Sequence, residues 1–162
     1  MTLRWKTLLV AAAAMATLAV APASAQTFTL TANLTGANET PTAVNTGAFG
    51  DAVVIVNLGD QTVTWTVRVF NLPSGVTAGH IHVGAAGTSG PTVVNFTVPT
   101  PASNDFGFTG VAKFSDFTLR PDQGIRSADD MIQAILGGNS YANVHSTVNG
   151  GGEVRGQLAL KP

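Results

Sequence analysis

A chain of 162 residues with no cysteine, eight basic and nine acidic residues and a formal net charge of −1 excludes several classes at once. It can have no disulfide framework and no thiolate metal site, and it lacks the basic stripe by which nucleic acid is held. Stability must come from burial, and any metal would have to be held by nitrogen and oxygen.

Arg4 and Lys6 form a short positive region, 7–20 is an apolar, alanine-rich run of about fourteen residues, and Ala23-Ser24-Ala25 puts small residues at cleavage positions. This pattern predicts a secretory signal peptide over 1–25, cut before Gln26. The apolar run is too short to span a bilayer as a helix. Residues 26–162 are then expected to be one exported domain, periplasmic or secreted, with no integral membrane segment and no nucleic-acid partner. Six basic against nine acidic residues leave that part with a net charge near −3.

Short alternating runs between turn signals argue for an all-β domain. Phe28, Leu30, Ala32 and Leu34 alternate with Thr29, Thr31 and Asn33, which predicts a half-buried first strand. A loop follows over 36–41, where Pro41 cannot donate to a ladder. The second strand is expected over 48–58, with Val53-Val54-Ile55-Val56 read as packed on both faces. After the reversal at Gly59-Asp60-Gln61, Val63, Trp65, Val67 and Val69 form the most amphipathic strand of the chain.

A turn over 71–75 leads into a strand over 77–83, and the glycine-rich 84–91 is read as turn chemistry because a strand-like run, not a helix, follows it. Residues 106–119 carry two apolar runs that suggest one bent strand. Ser127-Ala128-Asp129-Asp130 caps a short helix whose stripe is Met131, Ile132, Ile135 and Leu136, ended by Gly137-Gly138 and expected to cover an edge or end of the sheet. Strands over 141–146 and 153–160, joined by a turn at 149–152, complete the chain. Seven or eight strands at this spacing with one short helix predict a Greek-key β-sandwich or flattened barrel.

The chain has three histidines, two of them in Gly79-His80-Ile81-His82. Strand alternation puts His80 and His82 on one face with Ile81 on the other, and it puts Tyr141, Asn143 and His145 on one face of a later strand. If the two strands are neighbours, His80, His82 and His145 converge as a mononuclear metal site, with Tyr141 and Asn143 as hydrogen-bond partners behind the ligands. Imidazole suits copper first, by the order of divalent affinities, and zinc next. The competing reading has His80 and His82 bonded to backbone carbonyls and His145 as an unrelated, satisfied histidine. Glu153 and Arg155 share a strand face, where they could form an ion pair or bond loop carbonyls, and are read as structural because strand-face charges usually lie in solvent or in modest pairs. Trp65 and Phe96 are expected in the core.

Gly79-His80-Ile81-His82, the glycine-rich loop with Pro91, Tyr141-Ala142-Asn143-Val144-His145 and 152–158 together resemble the CHRD domain, named from chordin and also found in exported bacterial proteins. The stretch 34–41 resembles its opening motif, so the resemblance covers about 27–160. The histidine pattern alone is similar to that of Cu,Zn superoxide dismutase, where His80, His82 and His145 would match three copper ligands. No histidine is left for the bridging position or the zinc site, and no cysteine pair is present, which argues against a dinuclear centre of that kind. Three functions follow: an exported copper-binding protein for metal handling or sensing, a superoxide-dismutase-like redox enzyme on the same site, or a metal-free extracellular adhesion or protein-binding module. The partners these imply are a metal ion or another extracellular or periplasmic protein.

Overall fold

The computed structural model describes residues 26–162, so the expected signal peptide lies outside the described residues. Nine strands form one antiparallel sheet: β1 (Thr27–Thr35), β2 (Phe49–Asn57), β3 (Thr62–Leu72), β4 (Val76–Val83), β5 (Thr92–Asn95), β6 (Asn104–Lys113), β7 (Ser140–Ser146), β8 (Val154–Gln157) and β9 (Ala159–Leu160). Their order is β5-β4-β7-β8-β1-β2-β3-β6, with β9 also on β1. The sheet curls into a nearly closed barrel, as the all-β expectation required. Leu158 separates β8 from β9, so that β1 pairs with β8 at Thr35↔Arg155 and with β9 at Leu30↔Leu160.

Alternation builds the interior. Leu30, Leu34, Val54, Val56, Val63, Val67, Ile81 and Val144 are fully buried, because each lies at an inward position of a period-two strand. Trp65 is buried as expected and stacks on Phe96 at 4.8 Å between ring centroids. Gly110, directly opposite Trp65, leaves room for the indole, since a Cβ there would collide with Trp65 Cζ2. The one helix among the described residues, α1 (Ala128–Leu136), is capped at Ser127, whose hydroxyl accepts from Asp130 N while Asp130 accepts from Ser127 N. Its buried Met131, Ile132 and Ile135 place it against β4.

Two expectations need correction. The second strand is not packed on both faces: Val54 and Val56 are buried, but Ile55 is exposed, because it lines an open groove on the outer face. The strand buried on both faces is β7, every residue of which is buried. Residues 106–119 are not one bent strand either. β6 ends at Lys113 in a short 3₁₀ turn, where Asp116 Oδ2 accepts from Lys113 N at 3.0 Å and stops the ladder.

Candidate metal centre

β4 and β7 are neighbours, which is the condition the histidine argument needed. Their register sets His80 opposite Asn143, His82 opposite Tyr141 and Ala78 opposite His145, and β8 continues the rows with Arg155 beside Asn143 and Gln157 beside Tyr141. These side chains line the outer face of the sheet, since Ile81, Ala142, Val144 and Val154 on the alternate positions are in the core. His80, His82 and His145 each offer a ring nitrogen, and these nitrogens all lie within 4.8 Å of one another. Such a group can hold a metal ion.

Backbone carbonyls fix two of the three rings. His82 Nδ1 lies 2.9 Å from Gly90 O and His145 Nδ1 lies 3.0 Å from Gly150 O. A carbonyl only accepts, so both Nδ1 atoms carry the proton and both Nε2 atoms keep their lone pairs. His80 Nδ1 stands 2.9 Å from His145 Nε2; with His145 Nε2 as acceptor, His80 Nδ1 donates, and a bound cation would take the place of that proton. Of the competing reading only the His82 carbonyl contact is present, because His80 meets His145 rather than a carbonyl, and the two carbonyl bonds leave both Nε2 lone pairs directed away from the backbone, as a metal requires.

Electrostatics keep the rings neutral. Burial first, then His145 and His82 nearby, push His80 down to about 4. Burial also lowers His82, against the Gly90 hydrogen bond, and lowers His145, against the Gly150 hydrogen bond. Neutral imidazole is the ligating form.

Around the rings lies a buried polar layer. Tyr141 stacks on His82 with ring centroids 4.8 Å apart and planes 5° from parallel, and its hydroxyl accepts from Gly90 N at 3.1 Å. Tyr141 thus holds the glycine whose carbonyl fixes His82. The Arg155 guanidinium carbon lies 3.4 Å from the Tyr141 ring centroid, and its two terminal nitrogens donate to Thr40 Oγ1 and, at 2.7 Å, to Thr88 O. Thr40 Oγ1 in turn meets Ser89 Oγ at 2.9 Å. One side chain therefore ties the loop after β1 to the loop after β4, over the face that carries the histidines.

Two carboxylates lie in the same layer. Glu39 is pushed up to about 7 by burial, against the pull of Arg155, the Thr40 N–H and the Asn143 amide. Burial also acts to raise Glu153, but hydrogen bonds from Thr46, Asn149 and Ser146 outweigh it and hold its carboxyl below the usual range; Ser146 Oγ and Asn149 Nδ2 donate to Oε2 at 2.7 and 2.6 Å. Glu153 and Arg155 are structural, and Arg155 bonds a loop carbonyl as one expected alternative had it, but at 0 % and 2 % exposure they are not the solvated strand-face charges of the other. Sequence reasoning also missed Gly90, Gly150, Glu39 and Thr40. The glycines act through backbone atoms and leave no side-chain signal, whereas an acid and a hydroxyl before Pro41 in a polar loop were visible but indistinguishable from turn chemistry.

The family model of the CHRD domain matches residues 30–158, a span that contains both histidine strands and the two loops that Arg155 joins. Comparison with curated proteins and with solved structures found no match.

Proposed function

This chain belongs to the CHRD family, and we propose that it is an exported member, periplasmic or secreted, whose domain binds one copper ion through His80, His82 and His145 for metal handling or sensing. The observation that carries this reading is the pair of Nδ1–H to carbonyl bonds at Gly90 and Gly150, which leave His82 Nε2 and His145 Nε2 as lone-pair donors beside His80. Three nitrogen donors suit copper above zinc in the order of affinities, and neutral rings bind without first losing a net charge. Tyr141 and Asn143 serve the site from behind the ligands.

Metal handling is favoured over catalysis on superoxide. An enzyme acting on a small anion gains from a free cation near the open position, but Arg155 is spent on Thr40, Thr88 and the Tyr141 ring. The protein-binding reading has its own observation: a groove of about 410 Å³ on the far side of the barrel, lined by Val53, Ile55, Thr64, Trp65, Thr109 and Val111.

A copper(II) titration of residues 26–162 followed by electron paramagnetic resonance tests the proposal. One tight equivalent with nitrogen hyperfine coupling is expected, lost in His82→Ala and in His145→Ala. Binding that neither substitution alters would overturn it, and zinc displacing copper at equal concentration would overturn the choice of metal.

A further inference from the structure

The curled sheet has two ends, and they are not alike. At the β5 end, Thr118 N donates to Val93 O at 3.0 Å, so the chain covers its own edge. At the β6 end, the ten-residue strand pairs with β3 on one side only, at every position but Asp105.

The hydrogen-bond phase of that edge can be worked out. Phe114 N donates to Gln61 O at 2.8 Å, one step beyond the Thr62↔Lys113 pair. Bonded and non-bonded pairs alternate along an antiparallel ladder, so Phe106, Phe108, Gly110 and Ala112 bond to β3. Gly107, Thr109, Val111 and Lys113 turn their N–H and C=O groups outward, and Asp105 lies beyond them where the ladder is irregular. Lys113 N is taken by Asp116. The N–H groups of Gly107, Thr109 and Val111 meet no hydrogen-bond partner among the described residues, and all three residues are exposed, Val111 at 61 %.

An open edge of this length is a template for another strand, and its sequence suits one strand above others. A two-fold axis through Thr109 pairs each copy's Gly107 with Val111 and each copy's Asp105 with Lys113. Gly107, Thr109 and Val111 are outward-bonding positions, so the phase is right for six new backbone hydrogen bonds among them. Asp105 Oδ1 accepts from Asn71 N at 2.9 Å, and its other carboxylate oxygen faces the ammonium at the far end of the copy, twice. Size matches as well: Val111 falls opposite Gly107, and on the inner face Phe108 falls opposite Gly110 and Phe106 opposite Ala112.

We propose that β6 is a self-association edge, pairing antiparallel with β6 of a second copy about Thr109 to give an isologous dimer. This inference is independent of the metal centre, which lies on β4 and β7.

The test is sedimentation of residues 26–162, which contain the whole barrel, between about 10 and 500 µM, with hydrogen exchange read at Gly107, Thr109 and Val111. A concentration-dependent dimer is expected, in which these three amides become protected. Thr109→Pro removes only an outward N–H, so it leaves the β3 ladder intact and is expected to abolish the dimer. Lys113→Glu, which sets like charges opposite each other, is expected to weaken it roughly tenfold. Circular dichroism of both variants separates loss of pairing from loss of fold, and Lys113→Glu carries the test if Thr109→Pro does not fold. A monomer across the whole range, or a dimer unmoved by both substitutions, would overturn the proposal. So would a dimer in which the three amides still exchange freely.

Discussion

The outer faces of β7 and β3 belong to one sheet and both carry polar side chains, Tyr141, Asn143 and His145 on the one and Thr64, Thr66 and Arg68 on the other, yet they have opposite fates. Every residue of β7 is buried, whereas Thr64, Thr66 and Arg68 of β3 are exposed. The strands do not differ in pattern; the cover does. Loops after β1, β4 and β7 close over β7 and β8, and the polar groups trapped beneath must then satisfy one another. On β3 water does that work, and single side chains there matter little.

The contrast predicts its largest effect at Arg155. Arg155→Ala leaves Thr88 O without its donor and Thr40 Oγ1 with Ser89 alone, and it removes the cation that draws on Glu39. Losing one partner of a buried charged network costs about 3 kcal/mol, measurable by chemical denaturation. The loop that holds Gly90 loosens as well, so if the proposed copper site is present its affinity is expected to fall by about tenfold, the scale seen when partners behind metal ligands are removed. An unchanged denaturation midpoint with unchanged affinity would show that the covering loops stand without Arg155.

Glu39 gives the next effect, through pH. Its carboxyl is raised from about 4.5 to about 7, chiefly by burial. Between those values the folded chain keeps a proton that the unfolded chain has lost, so this group makes stability fall as pH rises through the window. Arg155 and the Asn143 amide oppose the shift from β8 and β7, and Glu153 adds to it. His80 acts in the other direction. Lowered from 6.5 to about 4, it makes stability fall as pH drops through that range, so the two offset each other between about 4.5 and 6.5. Glu39→Gln removes the neutral-pH loss alone and is expected to raise stability at pH 8 by about 2 kcal/mol, with little change at pH 4.5. Equal effects at both pH values would mean that Glu39 is ionised in the folded protein.

What was legible in the sequence divides along the same contrast. Alternation places His80 and His82 together, puts Trp65 inside and brings Tyr141, Asn143 and His145 to one face, because a period of two is a local property. It could not say that Glu153 and Arg155 are buried while Ile55 is exposed. That depends on loops far away in the chain, and Thr40 and Thr88 stand 115 and 67 residues from Arg155. The break after Lys113 was missed for a smaller reason: Asp116 caps a 3₁₀ turn inside a run whose apolar residues, Phe114 and Phe117, continue to look like strand.

The smallest effect should come from the other arginine on a strand face. Arg68 grips Asp51 with Nε 3.0 and 3.1 Å from the two carboxylate oxygens and a terminal nitrogen at 2.9 Å, a better-formed ion pair than any that Arg155 makes. But the Arg68 side chain is 63 % exposed, so water solvates both groups when the pair is broken, and salt screens it when it is made. Arg68→Ala is therefore expected to cost less than about 0.5 kcal/mol, and less again in 0.5 M salt. Measured beside Arg155→Ala it separates two explanations of the difference between the faces. If contact geometry governed, Arg68 would cost more; if cover governs, Arg155 costs several times as much.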